Sequence, residues 1–175
     1  MSGLASKSKE STKQSPSLKA RALRLLSLRE YSRKDLAAKL AESEARWANL
    51  GGEQADESSE TTSVQITAVL DDFEARGWLS DERFAEALVR RRSERYGMRK
   101  IQGELERAGV DSKQSAKLLA GLKETEYQRA YELWTRKYGV AAPDQKERAR
   151  QYRFLASKGF SSEVVAKVIG GQKPD

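Results

Sequence analysis

Apolar residues along this chain fall at helical intervals, in short stretches separated by small or polar residues. Leu18, Ala22, Leu25 and Leu26 make a first stripe, and Leu36 and Leu40 a second, behind a break at Tyr31-Ser32 where Ser32 is placed to cap. Ile66, Val69, Leu70 and Phe73 predict a helix ending at Gly77, and Phe84, Ala85 and Leu88 predict one from Asp81 to about Arg95. Short helices carrying Ile101 and Leu105, then Ala116, Leu119 and Leu122, follow. Tyr127, Tyr131, Trp134 and Tyr138 lie at i, i+4, i+7 and i+11 of the next helix, about 124–138. Asp144 is placed to cap a helix running to Ser157, and Val164, Val165, Val168 and Ile169 mark the last, from about Ser162. No stretch alternates with period two, so the pattern predicts an all-α protein.

The breaks repeat. Tyr31-Ser32, Tyr96-Gly97 and Tyr138-Gly139 each separate a longer helix from a shorter one. An apolar residue, three positions, Gly, an apolar residue, one position and Ser recurs as Phe73 to Ser80, Leu105 to Ser112 and Leu155 to Ser162. Gly suits the left-handed residue that ends a helix, and Ser three positions later is placed to cap the next one. The period predicts tandem three-helix repeats over residues 17–77, 78–122 and 123–170, between a disordered basic tail (1–16) and a short tail (171–175). Such units touch only their neighbours and form an elongated, often curved molecule whose surface binds partners. A polar insert at about 42–63, rich in Glu, Ser and Thr, interrupts the first repeat. It reads as an extended loop or frayed helix end, with Trp47 its one conspicuous apolar residue.

Composition narrows the chemistry. The chain has neither cysteine nor histidine, which removes thiol nucleophiles, Cys-ligated zinc and the commonest general base. Asp71-Asp72-Glu74 and Asp81-Glu82 are neighbours in sequence rather than on one helix face, and Gly51-Gly52 lacks the Lys-Ser/Thr of a phosphate loop. The expectation is a protein that is not an enzyme and takes no cofactor or metal. No apolar run approaches a membrane span and no apolar signal core follows the N-terminus, so a cytoplasmic location is expected.

A net charge of +7 points instead to an anionic partner. The densest positive run is Arg90, Arg91, Arg92 and Arg95, with Arg99 and Lys100 beyond it; Arg150, Arg153 and Lys158 form a second set. Two or three of the first run can serve the helix C-terminus, and the surplus makes both sets candidates for partner binding. The Tyr127–Tyr138 stripe reads as a core-facing seam rather than a base-stacking platform.

Gly77-Trp78-Leu79-Ser80-Asp81-Glu82-Arg83-Phe84-Ala85, the Tyr96–Leu105 stretch and Gly109-Val110 resemble the central signature of the RecX family. Arg136-Lys137-Tyr138-Gly139 and Arg153 to Phe160 resemble its third-repeat signature, and Leu28 to Leu36 its opening repeat. The resemblance covers about 17–170. It implies an elongated, curved array of three-helix repeats that binds the RecA recombinase filament on DNA; a monomer is the simplest expectation. It further implies reduced strand exchange, ATP hydrolysis and co-protease activity, and offers no catalytic residues. Where the family often has Pro after the central Gly this chain has Met98, and Ser80 replaces the first Asp of the usual Leu-Asp-Asp. A module that binds single- or double-stranded DNA directly, and acts by competing for the strand, is the alternative reading.

Overall fold

The computed structural model describes residues 16–51 and 58–174. The expected tail before Pro16, the middle of the insert and Asp175 lie outside the described residues. Within them the chain forms nine helices and no strand: α1 Leu18–Leu26, α2 Arg33–Gly51, α3 Ser58–Ala75, α4 Asp81–Arg92, α5 Met98–Arg107, α6 Ser112–Glu124, α7 Glu126–Lys137, α8 Gln145–Ser157 and α9 Ser162–Ile169.

The apolar stripes close into three separate cores. Ala22, Leu36, Leu40, Leu70 and Phe73 meet in the first, joining α1, α2 and α3. Ala85, Leu88, Ile101, Leu105 and Leu122 make the second, from α4, α5 and α6. Trp134, Leu155, Phe160, Val165 and Val168 fill the third, from α7, α8 and α9. Each large side chain buried in this way contributes about 1.5–3 kcal/mol. Described hydrogen bonds and ion pairs connect the first unit to the second and the second to the third; none connects the first to the third. The result is the tandem of three-helix units that the sequence pattern predicts. Trp134 is buried and its indole N–H donates to Gln151 at 2.8 Å, while Tyr127, Tyr131 and Tyr138 pack on the same core. The aromatic seam is core.

The Tyr breaks do not consistently lead from a longer helix to a shorter one: α1 has 9 residues and α2 19, and α7 has 12 and α8 13. Two further expectations need correction. The described parts of the insert, 42–51 and 58–63, are helix rather than extended loop: α2 continues to Gly51 and α3 already begins at Ser58. Polar composition hid a helix held by charge. Glu42 accepts from Lys39 at 2.9 Å and from Arg46 at 3.0 Å, and the Arg21 guanidinium reaches across from α1 to Ser43 (2.8 Å) and Glu44. The second correction concerns the helix caps. Gly77, Gly109 and Gly159 do end their helices with positive φ, and the N–H of the residue after each glycine donates back to the carbonyl of Phe73, Leu105 or Leu155. Only Ser80, however, caps as expected, accepting from Arg83 N–H at 3.2 Å. In the other two copies the residue before the expected Ser caps: Asp111 for α6 and Ser161 for α9.

The fold explains that offset. Gly109 and Gly159 join the second helix of a unit to its third, whereas Gly77 joins one unit to the next and has one more residue to cross. One sequence pattern serves two different connections.

Candidate partner-binding surface

The end of α4 sets up the surface. Arg92 continues the buried stripe of Phe84, Ala85 and Leu88, so it lies over α5, where its Nε donates to Glu104 at 3.0 Å. Arg90 projects about 160° away on a helix turning 100° per residue, and it is exposed. The arginine run therefore fans around the helix instead of forming one face. Arg90, Arg91, Arg95 and Arg99 are exposed and take part in none of the ion pairs among the described residues.

Tyr96 ends this stretch with its ring packed against the second core. Three cations surround the ring: Lys100 Nζ at 4.6 Å from the centroid, Arg92 at 5.2 Å and Lys158 Nζ at 5.3 Å. Lys158 belongs to the third unit. It comes here because the Gly97 N–H donates to the Lys158 carbonyl at 2.9 Å. That approach depends on the two glycines: a Cβ on Gly97 would lie 2.3 Å from the Gly159 carbonyl oxygen and the Phe160 nitrogen. The Phe154 ring, edge-on to Tyr138 at 5.7 Å, carries Lys137 at 3.8 Å and shares Lys158 at 5.6 Å. Each distance lies within the range in which a cation is attracted to an aromatic face.

Beneath this surface the joint is held by buried charge. Glu126, 3% exposed, accepts the Met98 N–H at 2.9 Å, so the first residue of α7 caps the N-terminus of α5. Arg129 donates to the carbonyls of Ser93 (2.7 Å), Tyr96 (2.8 Å) and Leu122 (2.7 Å), which the ends of α4 and α6 leave open. Burial lowers the pKa of Arg129 and the nearby Glu126 carboxylate opposes that shift.

Of the nine predicted partner-binding residues, the fold gathers three around one ring, Arg92, Lys100 and Lys158, from two different units. Arg153 lies about 140° around α8 from Lys158 and lines a shallow depression with Arg148, Tyr152 and Ile169. Arg150 is exposed beside Glu147 at 3.6 Å. Lys137 is the member the sequence pattern does not single out, because its partner ring lies on α8, outside its own helix. Met98 gains a reason too: Pro at that position would have no N–H for Glu126.

Among the described residues no group of three acidic ligands suits a metal ion, and no helix is long and apolar enough to cross a membrane. The described chain is a tandem helical-repeat protein with cations from two units gathered at the joint between them.

Comparison with known proteins narrows that class. Residues 80–119 match the profile of the RecX second three-helix domain, and 124–169 that of the third. The chain is 44% identical over 153 residues to a "Regulatory protein RecX" from Leptothrix cholodnii, covering 87% of each. It is also 44% identical over 149 residues to the protein of that name from Herminiimonas arsenicoxydans, covering 85% of this chain and 88% of that one. A crystal structure of RecX from Lactobacillus salivarius superposes with a TM-score of 0.62 over 88% of this chain and 93% of that chain, at 18% identity, a likeness of fold. The chain belongs to the RecX family of regulatory proteins.

Proposed function

We propose that this chain binds a RecA recombinase filament on DNA and lowers its strand-exchange, ATPase and co-protease activities, without chemistry of its own. The reading rests on family membership and on one observation: cations from two consecutive repeats converge on the Tyr96 ring. Charge collected from two units suits a partner longer than either. A polyanionic filament offers such a length, and the row of units offers a matching edge. In this reading Arg90, Arg91, Arg95, Arg99, Arg150 and Arg153, which do not share one face with that cluster, supply weaker, solvent-screened contacts around it. The protein acts in the cytoplasm as a monomer.

ATP hydrolysis by the recombinase of the same species on single-stranded DNA, with this protein titrated in, tests the reading. A binding assay on bare DNA at the same salt runs beside it. Inhibition at concentrations that leave bare DNA free is the expected result. Inhibition only after bare DNA is saturated would make the protein a competitor for the strand. No inhibition at any ratio would overturn the assignment of a recombinase target.

A further inference from the structure

Lys100, Lys137 and Lys158 share two properties that set them apart from many other cations of this protein. Each sits on an aromatic face, and none takes part in an ion pair or side-chain hydrogen bond among the described residues. By contrast Lys19, Lys39 and Lys167 are matched to carboxylates at 3.0, 2.9 and 2.8 Å respectively. Charge left unmatched yet held in place is what an external anion would use.

We propose that these three lysines form a composite site for the phosphodiester backbone of a nucleic-acid strand, with Tyr96 and Phe154 as its floor. The inference deepens the reading above and rests on it only for the source of the strand, DNA held within the filament. Four features favour nucleic acid over an acidic protein segment. All three groups are lysines, compact point charges that accept phosphate oxygens from many directions, whereas a carboxylate gains most from the planar fork of arginine. The lysines follow one another from ring to ring, with Lys158 shared between Tyr96 and Phe154, which suits a chain of regularly repeated monoanions. Both rings already carry cations, so contact with the strand falls on phosphate and binding is independent of base sequence. Contact with a ring restricts each lysine before binding, so less rotamer freedom is lost when the strand arrives.

The site exists only while the second and third units are docked: Lys100 and Tyr96 come from one, and Lys137, Lys158 and Phe154 from the other. A bound strand therefore crosses the joint and stabilises the docking that creates its own site.

The test uses the full chain and a fluorescein-labelled oligothymidylate, with affinity measured over a series of salt concentrations. The triple variant Lys100→Gln/Lys137→Gln/Lys158→Gln is compared with Arg24→Gln/Lys113→Gln/Lys117→Gln, which removes equal charge from exposed positions in α1 and α6. Thermal melts confirm that both fold. The joint variant is expected to lose roughly tenfold or more in affinity, with a salt dependence shallower by about two units, near 0.7 for each lost phosphate contact on a single strand. The control is expected to lose only a small factor.

Equal losses in the two variants would overturn the site, leaving general attraction by net charge. Displacement of the oligonucleotide by polyglutamate at matched charge, as effective as by unlabelled DNA, would overturn nucleic acid as the occupant. An unchanged oligonucleotide affinity with lost inhibition of the recombinase would assign the lysines to protein contact. Failure of the wild-type chain to inhibit a recombinase, with the oligonucleotide result as expected, would overturn the filament reading and leave this site standing.

Discussion

The two joints of this molecule follow one plan with different materials. In each, an acid in the first turn of the arriving unit accepts a backbone N–H at the start of the previous unit's second helix: Asp81 from Arg33 at 2.7 Å, and Glu126 from Met98 at 2.9 Å. In each, a cation tends the carbonyls at a helix end. At the first joint that cation is Lys34, exposed, reaching the Arg107 carbonyl at 2.8 Å. At the second it is Arg129, half-buried and bonded to three carbonyls. The second joint adds a direct backbone bond across a pair of glycines, and the first adds the Arg83–Glu30 pair at 3.0 Å, whose arginine side chain is 42% exposed. Exposed pairs of this kind contribute about 0–1 kcal/mol, whereas a buried group that loses its partner costs several times that. A repeat array thus keeps one topology while setting the stiffness of each joint separately. The firm joint is the one that carries the gathered lysines.

Arg129→Met should break that asymmetry most. It strands the carbonyls of Ser93, Tyr96 and Leu122 and leaves the Glu126 carboxylate without its neighbouring charge. A loss of about 3 kcal/mol is expected, on the order of a 6–12 °C fall in melting temperature. Hydrogen exchange should rise first in α5 and the end of α4. A change within error would mean that the second joint does not depend on this cation.

Gly97→Ala tests the same joint without touching a charge. Gly97 has φ −74° and ψ 167°, which alanine adopts freely, so any cost comes from the methyl group meeting the Gly159 and Phe160 backbone. Neither partner is a side chain that can swing away. The units must separate, at about 2 kcal/mol on the scale of overpacking. The variant should also weaken the oligonucleotide, because Lys158 moves off Tyr96. Unaltered stability would show that the close approach is not required.

Asp81→Ala is the corresponding change at the first joint and should cost less, about 1 kcal/mol, the worth of one helix cap. Asp81 is only half buried, so water replaces part of what is lost. A cost matching that of Arg129→Met would erase the proposed difference between the joints.

Asp81 also shows what a linear reading misses. An acid in the first turn of a helix looks like a partner for that helix's own dipole, yet its carboxylate serves α2, 48 residues earlier. Glu126 and Arg129 escape notice for the same reason, since each works on backbone groups of another unit and nothing beside it in sequence marks that partner. A comparison of first turns holds the available signal: Asp81 with Arg83 opens α4, and Glu126 with Arg129 opens α7. The legible features are local, namely apolar stripes, corner glycines and the Ser32 cap, which accepts the Asp35 N–H at 3.0 Å. The extra turns of α2 were obscured because Glu42, Glu44 and Arg46 pair with cations and anions instead of burying apolar surface. As for the arginine run, density in sequence did not become density in space, because adjacent residues on a helix face different ways.

The smallest expected effect lies in the first unit and appears only in acid. Arg76 and then Lys19 donate to the Asp72 carboxylate, at 2.8 and 3.0 Å, and hold its pKa below the usual carboxylate value. A lowered value means that the folded state favours the ionised form. The associated stability is fully present above the unfolded-state pKa, about 3.9, and is lost as pH falls through the folded-state value. Lys19 lies on α1 and Asp72 on α3, so protonation removes a tie between helices. At the third unit the comparable carboxylate, Glu163, is also held low, but by Lys167 four residues along the same helix. Acid should therefore loosen α1 before it loosens the packing of α7 on α9. Asp72→Asn should remove part of the fall in melting temperature between pH 5 and pH 3 (roughly the range in which carboxylates protonate), and Glu163→Gln should leave exchange in α1 unaltered. If both substitutions change the acid limb of the stability curve equally, the tie between α1 and α3 is worth no more than a surface pair within one helix.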